Sequence, residues 1–106
     1  MVYHFRMEKY QKELDNWFKK TGWPYWNQHE ILARLIEEVG ELARLVNHLY
    51  GPKKKKADEK EQNVEEEIGD IIYTLICYAN ANNINLDRAI EKSISKVMLR
   101  DKNRFN

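Results

Sequence analysis

Two short acidic stretches of this sequence are nearly identical, and their spacing is that of a metal-ligand set. They read EEVGE at 37–41 and EEIGD at 66–70, each inside an apolar run of helical composition. On a helix of about 3.6 residues per turn, the acids of each stretch form one strip beside the apolar positions. If the two helices pack antiparallel as a hairpin, four carboxylates converge: Glu38, Glu41, Glu67 and Asp70.

Carboxylates that converge in a partly desolvated place need a compensating positive charge, because mutual repulsion would otherwise force protonation. Oxygen ligands without histidine or cysteine favour a hard cation, with Mg²⁺ as the first choice and Mn²⁺ as the second. A di-iron bundle would need histidine three residues after a glutamate on two helices, and those positions hold Glu41 and Asp70. The alternative interpretation is that these acids are ordinary exposed residues of helix surfaces.

A glycine inside each stretch is the second shared feature. Gly40 and Gly69 fall in helix interiors, where glycine costs about 1 kcal/mol relative to alanine. A close approach between helices beside the metal site would compensate for this cost. We therefore expect tight packing at both glycines.

Four predicted helices must position the acids, and no segment alternates apolar and polar residues as a strand would. They run from Tyr3 to near Gly22, from an Asn27 cap to Tyr50, from Val64 to Ala81, and from an Asn85 or Asp87 cap to Arg100. Glu30 completes a capping box with Asn27, and a polar linker with a run of four consecutive lysines occupies 51–63. The economical fold is an all-α four-helix bundle.

Length and composition set limits on the class of protein. The chain has 106 residues, 42% of them apolar, and a net charge of +1. We expect one domain over 1–106, and the near-zero charge offers no field for nucleic acid or an anionic membrane. Cys77 is the single cysteine, so an internal disulfide is excluded, and its apolar surroundings predict burial. No apolar run approaches the length of a membrane span of about 20 residues, so we expect a cytoplasmic protein.

The acidic stretches and their surroundings resemble the MazG-like nucleotide pyrophosphohydrolases, which carry the signature E-E-x-x-E followed by E-x-x-D. The resemblance covers ARLIEEVGELARLVNHLYG at 33–51, EEEIGDIIYTLICYANANNINL at 65–86 and RDKNRF at 100–105. It is strongest to the small single-domain members. It implies the fold of the all-α nucleoside triphosphate pyrophosphatases.

The resemblance also implies an activity and a role for each acid. Members of the family cleave nucleoside triphosphates between the α- and β-phosphates and release the monophosphate and pyrophosphate, in some cases to remove non-canonical nucleotides. The family's Mg²⁺ ligands fall on Glu38, Glu41, Glu67 and Asp70. The first acid of the signature, Glu37, becomes the candidate for orienting or deprotonating the attacking water.

Substrate binding would need further residues outside the acidic stretches. The candidates for the phosphates are basic residues of the fourth helix and the tail, namely Lys96, Arg100, Lys102 and Arg104. The alternative for these is a solvated basic face, since cations are favourable near a helix C-terminus. Weaker candidates for stacking on a base are Trp23, Trp26 and Tyr73, with packing in a core or interface as the alternative.

Three classes of protein fit these residues to different degrees. The first is an enzyme acting on a nucleoside triphosphate, expected as a homodimer or homotetramer because so short a helical chain exposes much apolar surface. The second is a non-catalytic helical protein that keeps the metal site for regulation or assembly, and the third is a passive helical interaction module without metal. The sequence favours the enzyme because the acid signature is intact and includes Glu37, which a structural metal site would not need.

Overall fold

Four helices make up most of the chain in a computed structural model, which describes residues 6–51 and 63–104. They are α1 (Arg6–Thr21), α2 (Gln28–Tyr50), α3 (Val64–Ala81) and α4 (Leu86–Asp101). The described residues contain no strand, and the predicted all-α fold of four helices is confirmed. The predicted start of the first helix at Tyr3 and most of the lysine-rich linker lie outside the described residues.

The predicted signals end α1 and begin and end α2. Gly22 takes a left-handed conformation with φ of 74°, and the next N–H, that of Trp23, donates to the Phe18 carbonyl at 3.1 Å. This is the conformation for which glycine is favoured after a helix. The Asn27 side chain accepts from the Glu30 N–H at 2.9 Å, as an N-cap does. At the other end of α2, the Gly51 N–H closes the last turn.

Asparagine side chains also cap the N-termini of α3 and α4. Asn63 accepts from the Glu66 N–H at 2.7 Å at the start of α3. Asn85 accepts from the Arg88 N–H at 2.9 Å at the start of α4. Of the two caps predicted for α4, Asn85 is therefore the one used. The first turns of α2, α3 and α4 are therefore each held in place by a side chain that the sequence provides locally.

The described residues form two compact units. The first unit contains α1, the last residues of α3 and all of α4, in residues 6–25 and 79–104. Asp87 of α4 caps α1 in this unit, because its carboxylate accepts from the N–H groups of Met7 at 3.2 Å and Glu8 at 2.9 Å. The second unit, residues 26–78, contains α2 and the rest of α3, and it carries the predicted metal ligands.

A buried glutamine joins three segments of the first unit. The Gln11 amide nitrogen donates to the Asn80 side chain at 3.0 Å and to the Ile84 carbonyl at 2.8 Å, and its oxygen accepts from the Leu86 N–H at 3.0 Å. Asn80 in turn donates to the Gln11 carbonyl and to the Tyr25 hydroxyl. Only 9% of Gln11 is exposed, so this network must satisfy its polar atoms, and it does.

Burial covers only part of the apolar arc of α2. The structure buries Ile31 and Leu45 of α2, and Ile76, Cys77 and Ala79 of α3, so the prediction for Cys77 is confirmed. Five other apolar residues of α2 are 41–64% exposed: Leu32, Ile36, Val39, Val46 and Leu49. The apolar arc of α2 is therefore wider than the arc that the described residues cover. Among the described residues, no helix combines the length and hydropathy needed to cross a membrane.

The Gln11 network yields a test by a nearly isosteric change. Gln11→Glu keeps the acceptor for the Leu86 N–H but turns an oxygen toward the Asn80 oxygen and the Ile84 carbonyl. We expect the free energy of unfolding to fall by about 3 kcal/mol, since a buried charge faces two acceptors. Urea denaturation measures this change in the free energy of unfolding. The control Asn16→Asp makes the same chemical change at an exposed position of α1 and should change stability by less than about 0.5 kcal/mol; equal effects would contradict the assigned role.

Candidate metal centre

Three of the predicted metal ligands meet in the second unit. Glu38 in the middle of α2 and Glu67 and Asp70 at the start of α3 each place one carboxylate oxygen within 4.8 Å of the others. Glu67 is almost completely buried, with 1% of its surface exposed, whereas Glu38 is half-buried and Asp70 is exposed. The pairing of α2 with the first turns of α3 therefore creates a graded site, closed at Glu67 and open at Asp70.

Glu41 and Glu37 lie at the border of this cluster. Glu41 is not one of the three residues whose oxygens converge, but its charge and a side-chain hydrogen bond both act on Glu67. Glu37 is exposed, and its charge acts on Glu38. All five acids of the signature therefore belong to one electrostatic neighbourhood, with Glu37 on the solvent side of it.

Burial and repulsion both oppose ionisation in the cluster. Burial is the main cause that raises the pKa of Glu67 above its ordinary value, followed by the charges of Glu41, Asp70 and Glu38. Burial also leads in raising the pKa of Glu38, followed by the charges of Glu41 and Asp70. These carboxylates gain proton affinity because nothing positive compensates them fully, and a bound cation would remove that excess.

Two buried oxygens lack hydrogen-bond partners, which tests whether a cation fits. The Oε2 atoms of Glu38 and Glu67 are buried and accept no hydrogen bond from the described part of the chain. Buried polar atoms are nearly always partnered, so two unpartnered carboxylate oxygens beside a third carboxylate indicate a missing positive ligand. A set of carboxylate oxygens alone is the donor set that hard divalent cations prefer. The residues present therefore fit the predicted metal.

The expected close packing at the two glycines is wrong for this chain. A Cβ atom added to Gly40 or Gly69 would meet nothing within 4 Å. Each glycine follows a clustered acid, Glu38 or Glu67, by two residues, which is about 200° around a helix. Each therefore lies on the side of its helix away from that acid, so a glycine beside the acid in sequence is not beside the site in space.

The three aromatic candidates have different surroundings. Trp23 is 62% exposed and lies in the first unit. Trp26 lies in the second unit, where the Arg34 guanidinium stacks over its ring at 4.7 Å from the centroid. Tyr73 follows Asp70 by one turn of α3 and is 40% exposed, and burial with a side-chain hydrogen bond to Cys77 raises its pKa. Trp26 and Tyr73 thus share a unit with the acids.

The four basic candidates all lie in the first unit, on α4 and the turn that follows it. Arg100 forms an ion pair with Asp101 at 3.1 Å, and Arg104 reaches the same carboxylate at 3.6 Å. Lys96 is exposed and lines a shallow surface cavity on α4, while Lys102 is exposed just after the helix. The two arginines therefore already share one counter-ion.

Arg34 is the residue that sequence reasoning missed. It lies one helical turn before Glu38 on α2, and its charge lowers the pKa of both Glu38 and Tyr73. A basic residue four positions before an acid is too common on helices to attract notice. The clue to Arg34 is Trp26, which precedes α2 by two residues, and only the folded chain places its ring against the guanidinium.

An all-α chain with a carboxylate cluster between two helices resembles, in fold and in donor set, the helical proteins that bind metals through carboxylates. Comparison with known proteins narrows this class. Residues 27–105 match the model of the MazG nucleotide pyrophosphohydrolase domain. YpjD of Bacillus subtilis (strain 168) is 43% identical over 99 residues, covering 93% of this chain and 89% of YpjD.

Solved structures agree with the family match. A crystal structure of Bacillus subtilis YpjD matches with a TM-score of 0.77 at 42% identity, over 90% of this chain and 95% of that one. A Bacillus MazG protein, described as a nucleotide pyrophosphohydrolase, matches with a TM-score of 0.71 at 40% identity, over 86% of this chain and 87% of that one. The chain belongs to the MazG nucleotide pyrophosphohydrolase family, which confirms the predicted resemblance and its fold type.

The raised pKa of Glu67 yields a test in metal-free protein. A raised pKa means that the Glu67 carboxyl binds a proton more tightly in the folded state than in the unfolded state. The stability gained from protonating Glu67 is therefore full at acidic pH and is lost as pH rises through the folded-state pKa. In EDTA we expect the melting temperature to rise as pH falls from neutral toward the usual carboxylate range. Glu67→Gln should raise the melting temperature at neutral pH and flatten this profile.

The matched control for this test is Glu65→Gln, which removes a carboxylate at an exposed position in the same turn of α3. It should leave the pH profile of the melting temperature unchanged. A Glu67→Gln profile as steep as that of the wild type would contradict the assignment of the buried proton to Glu67.

Proposed function

We propose that this protein is a Mg²⁺-dependent hydrolase of nucleoside triphosphates that cleaves between the α- and β-phosphates. Water adds across that phosphoanhydride, and the products are the nucleoside monophosphate and pyrophosphate. The observation that carries the proposal is the pair of buried, unpartnered oxygens of Glu38 and Glu67 beside Asp70. In a chain of the MazG nucleotide pyrophosphohydrolase family, such a site is suited to a metal-bound triphosphate.

The metal would be held by Glu38, Glu41, Glu67 and Asp70. Mg²⁺ is the first choice and Mn²⁺ the second, because all four ligands are carboxylates. When bound, the cation would neutralise part of the negative charge of the triphosphate and would lower the pKa of a bound water molecule. The buried carboxylate of Glu67 anchors the closed end of the site, and the exposed carboxylate of Asp70 leaves the other end open to substrate.

Glu37 is proposed to orient or deprotonate the attacking water. It is exposed, adjacent to Glu38 in sequence, and close enough for its charge to act on Glu38. A group on the solvent side of the ligands has access to water that the buried Glu67 lacks. A carboxylate positioned within hydrogen-bond reach of the water can accept its proton as the bond to phosphorus forms.

The remaining substrate contacts are proposed for basic and aromatic residues. Lys96, Arg100, Lys102 and Arg104 are suited by charge to the departing pyrophosphate. Trp23, Trp26 and Tyr73 offer aromatic faces to a base, and their partial exposure supports this use. Non-canonical nucleotides are the proposed physiological substrates.

A homodimer or homotetramer is proposed as the functional assembly. The second unit exposes large apolar side chains along both of its helices, including Ile36 and Val46 of α2 and Ile68, Ile72 and Leu75 of α3. Exposed apolar residues that recur on one element after another are typical of protein interfaces. Two-fold pairing of identical helical faces is the simplest way to cover them.

The test of the hydrolase proposal is pyrophosphate release from the common NTPs and dNTPs, dUTP and an oxidised purine triphosphate, with Mg²⁺ and then Mn²⁺. We expect metal-dependent turnover by the wild type. Glu38→Gln should lose about 100-fold or more because a metal ligand is removed. Glu37→Gln should lose a similar factor while metal still raises its melting temperature, because Glu37 acts on water.

Glu65→Gln serves as the control, since it removes an exposed acid of α3 outside the signature. Its turnover should match the wild type. A wild type that hydrolyses none of these substrates while Mg²⁺ or Mn²⁺ raises its melting temperature would contradict the hydrolase proposal and favour the non-catalytic metal-binding protein.

The assembly proposal is tested by sedimentation equilibrium. We expect a mass of two or four chains for the wild type. Ile36→Glu replaces a side chain that is 64% exposed and should weaken association about 10-fold or more, since it removes apolar burial and adds a charge. Ser93→Glu adds the same charge at an exposed polar position of α4 and should leave the mass unchanged. A monomeric wild type would refute the proposal.

A further inference from the structure

Arg34 occupies a defined place between an aromatic residue and the carboxylate cluster. Its guanidinium lies over the Trp26 ring at 4.7 Å from the centroid. Its Cα position on α2 precedes that of Glu38 by four residues, which is about 6 Å along the helix and on the same face. The cation–π interaction with the ring favours this position of the guanidinium.

The charge of Arg34 reaches the site. It lowers the pKa of Glu38, and it also lowers the pKa of Tyr73 on α3. Among the described residues, Arg34 is the basic residue whose charge lowers the pKa of Glu38, and it precedes that acid by about one turn of α2.

Arg34 does not neutralise the acids directly. It forms no ion pair or hydrogen bond with any described residue, and the Oε2 atoms of Glu38 and Glu67 stay without a partner. A guanidinium that served only as a counter-ion to Glu38 would donate a hydrogen bond to the unpartnered Oε2 atom of Glu38. Its N–H groups remain available for an anion that arrives from outside, because a cation–π contact with Trp26 does not use them as hydrogen-bond donors to another residue.

We infer that Arg34, held over the Trp26 ring, binds the phosphate chain of the substrate at this site. Its five N–H donors in a rigid fork match the oxygens of a phosphoryl group, which lysine does not reproduce. In this arrangement the acids bind the cation, and Arg34 donates hydrogen bonds to phosphoryl oxygens that the cation does not contact. This inference rests on the proposed function and adds to it a phosphate-binding residue and the aromatic residue that positions it.

The inference also assigns a distinct role to Trp26. One face of the indole ring is covered by Arg34, so Trp26 acts through the guanidinium as a positioning residue. Removing the ring should free the arginine without removing its charge. The loss of phosphate affinity in Trp26→Leu should therefore be smaller than the loss in Arg34→Gln.

Inorganic tripolyphosphate with Mg²⁺ is the probe, because it contains the phosphate chain without any base. Isothermal titration calorimetry should show affinity weakened about 10-fold to 100-fold in Arg34→Gln, the range expected for a charge-assisted hydrogen bond. Arg34→Lys and Trp26→Leu should give intermediate losses. Titration with Mn²⁺ alone should show no weakening in Arg34→Gln, since removing a nearby cation favours metal binding to the acids.

Arg44→Gln is the matched control, because it removes the same charge from an exposed position of the same helix, and it should bind tripolyphosphate as the wild type does. Melting temperatures confirm that each variant is folded. Unchanged tripolyphosphate affinity in Arg34→Gln, or equal losses in Arg34→Gln and Arg44→Gln, would overturn the inference. A wild type that fails to bind the probe would overturn it as well.

Nucleotide hydrolysis measured on the same preparations separates the two proposals. Turnover by the wild type together with an unchanged affinity in Arg34→Gln would overturn the role of Arg34 alone. Binding that depends on Arg34 without turnover of any nucleotide would overturn the hydrolase proposal alone. With turnover present, the expected signature is a raised KM for the nucleotide in Arg34→Gln, accompanied by a lowered kcat if the contact strengthens in the transition state.

Discussion

The cost of holding carboxylates away from water is the constraint on which this site depends. Glu67 is almost fully buried and Glu38 half-buried, and each has an oxygen without a partner. Part of the cost is offset locally, because Glu67 lies in the first turn of α3, where a helix favours negative charge. Asn63 fixes the start of that helix and thereby the position of Glu67. The remaining cost is the one that a bound cation would offset under the proposed function.

In the second unit, the guanidinium of Arg34 is kept out of direct contact with the clustered acids. An arginine in direct contact with Glu38 would relieve the repulsion among the acids but would also compete with a metal for the same oxygens. The structure instead stacks Arg34 on Trp26, one turn away, where its field reaches the acids and its donors remain available. A site for a metal-bound anion needs both properties at once. Its acids must carry negative charge that no basic residue has neutralised, and its basic side chain must have N–H donors that no protein acceptor has taken. The aromatic ring makes this separation possible because it holds a cation without neutralising it.

Local patterns in the sequence predicted the helices, their caps at Asn27 and Asn85, the burial of Cys77 and the convergence of Glu38, Glu67 and Asp70. These features depend on helical period and on side chains within a few residues of their partners. The core role of Gln11 could not be read in this way, because its partners lie about 70 positions along the chain and nothing local distinguishes it from an exposed glutamine. The expectation of close packing at Gly40 and Gly69 failed for a related reason. The energetic cost of a glycine within a helix does not show whether a neighbouring element packs against that position. The exposed apolar residues of α2 mark the same limit, because a sequence shows which residues are apolar and not which molecule covers them.

The first unit is assembled from the two ends of the described chain, and this has a consequence for the order of synthesis. Residues 26–78 are contiguous, so the helices that carry the acids can pair as soon as they have left the ribosome. Helix α1 emerges before them but must wait for Asn80, Ile84 and Leu86 to satisfy Gln11, and for Asp87 to cap its first turn. Contacts of such long sequence separation form late, because the loop between them must close first. The acidic centre can therefore form before α1 has its packing partners, and α4 is the helix that completes the first unit.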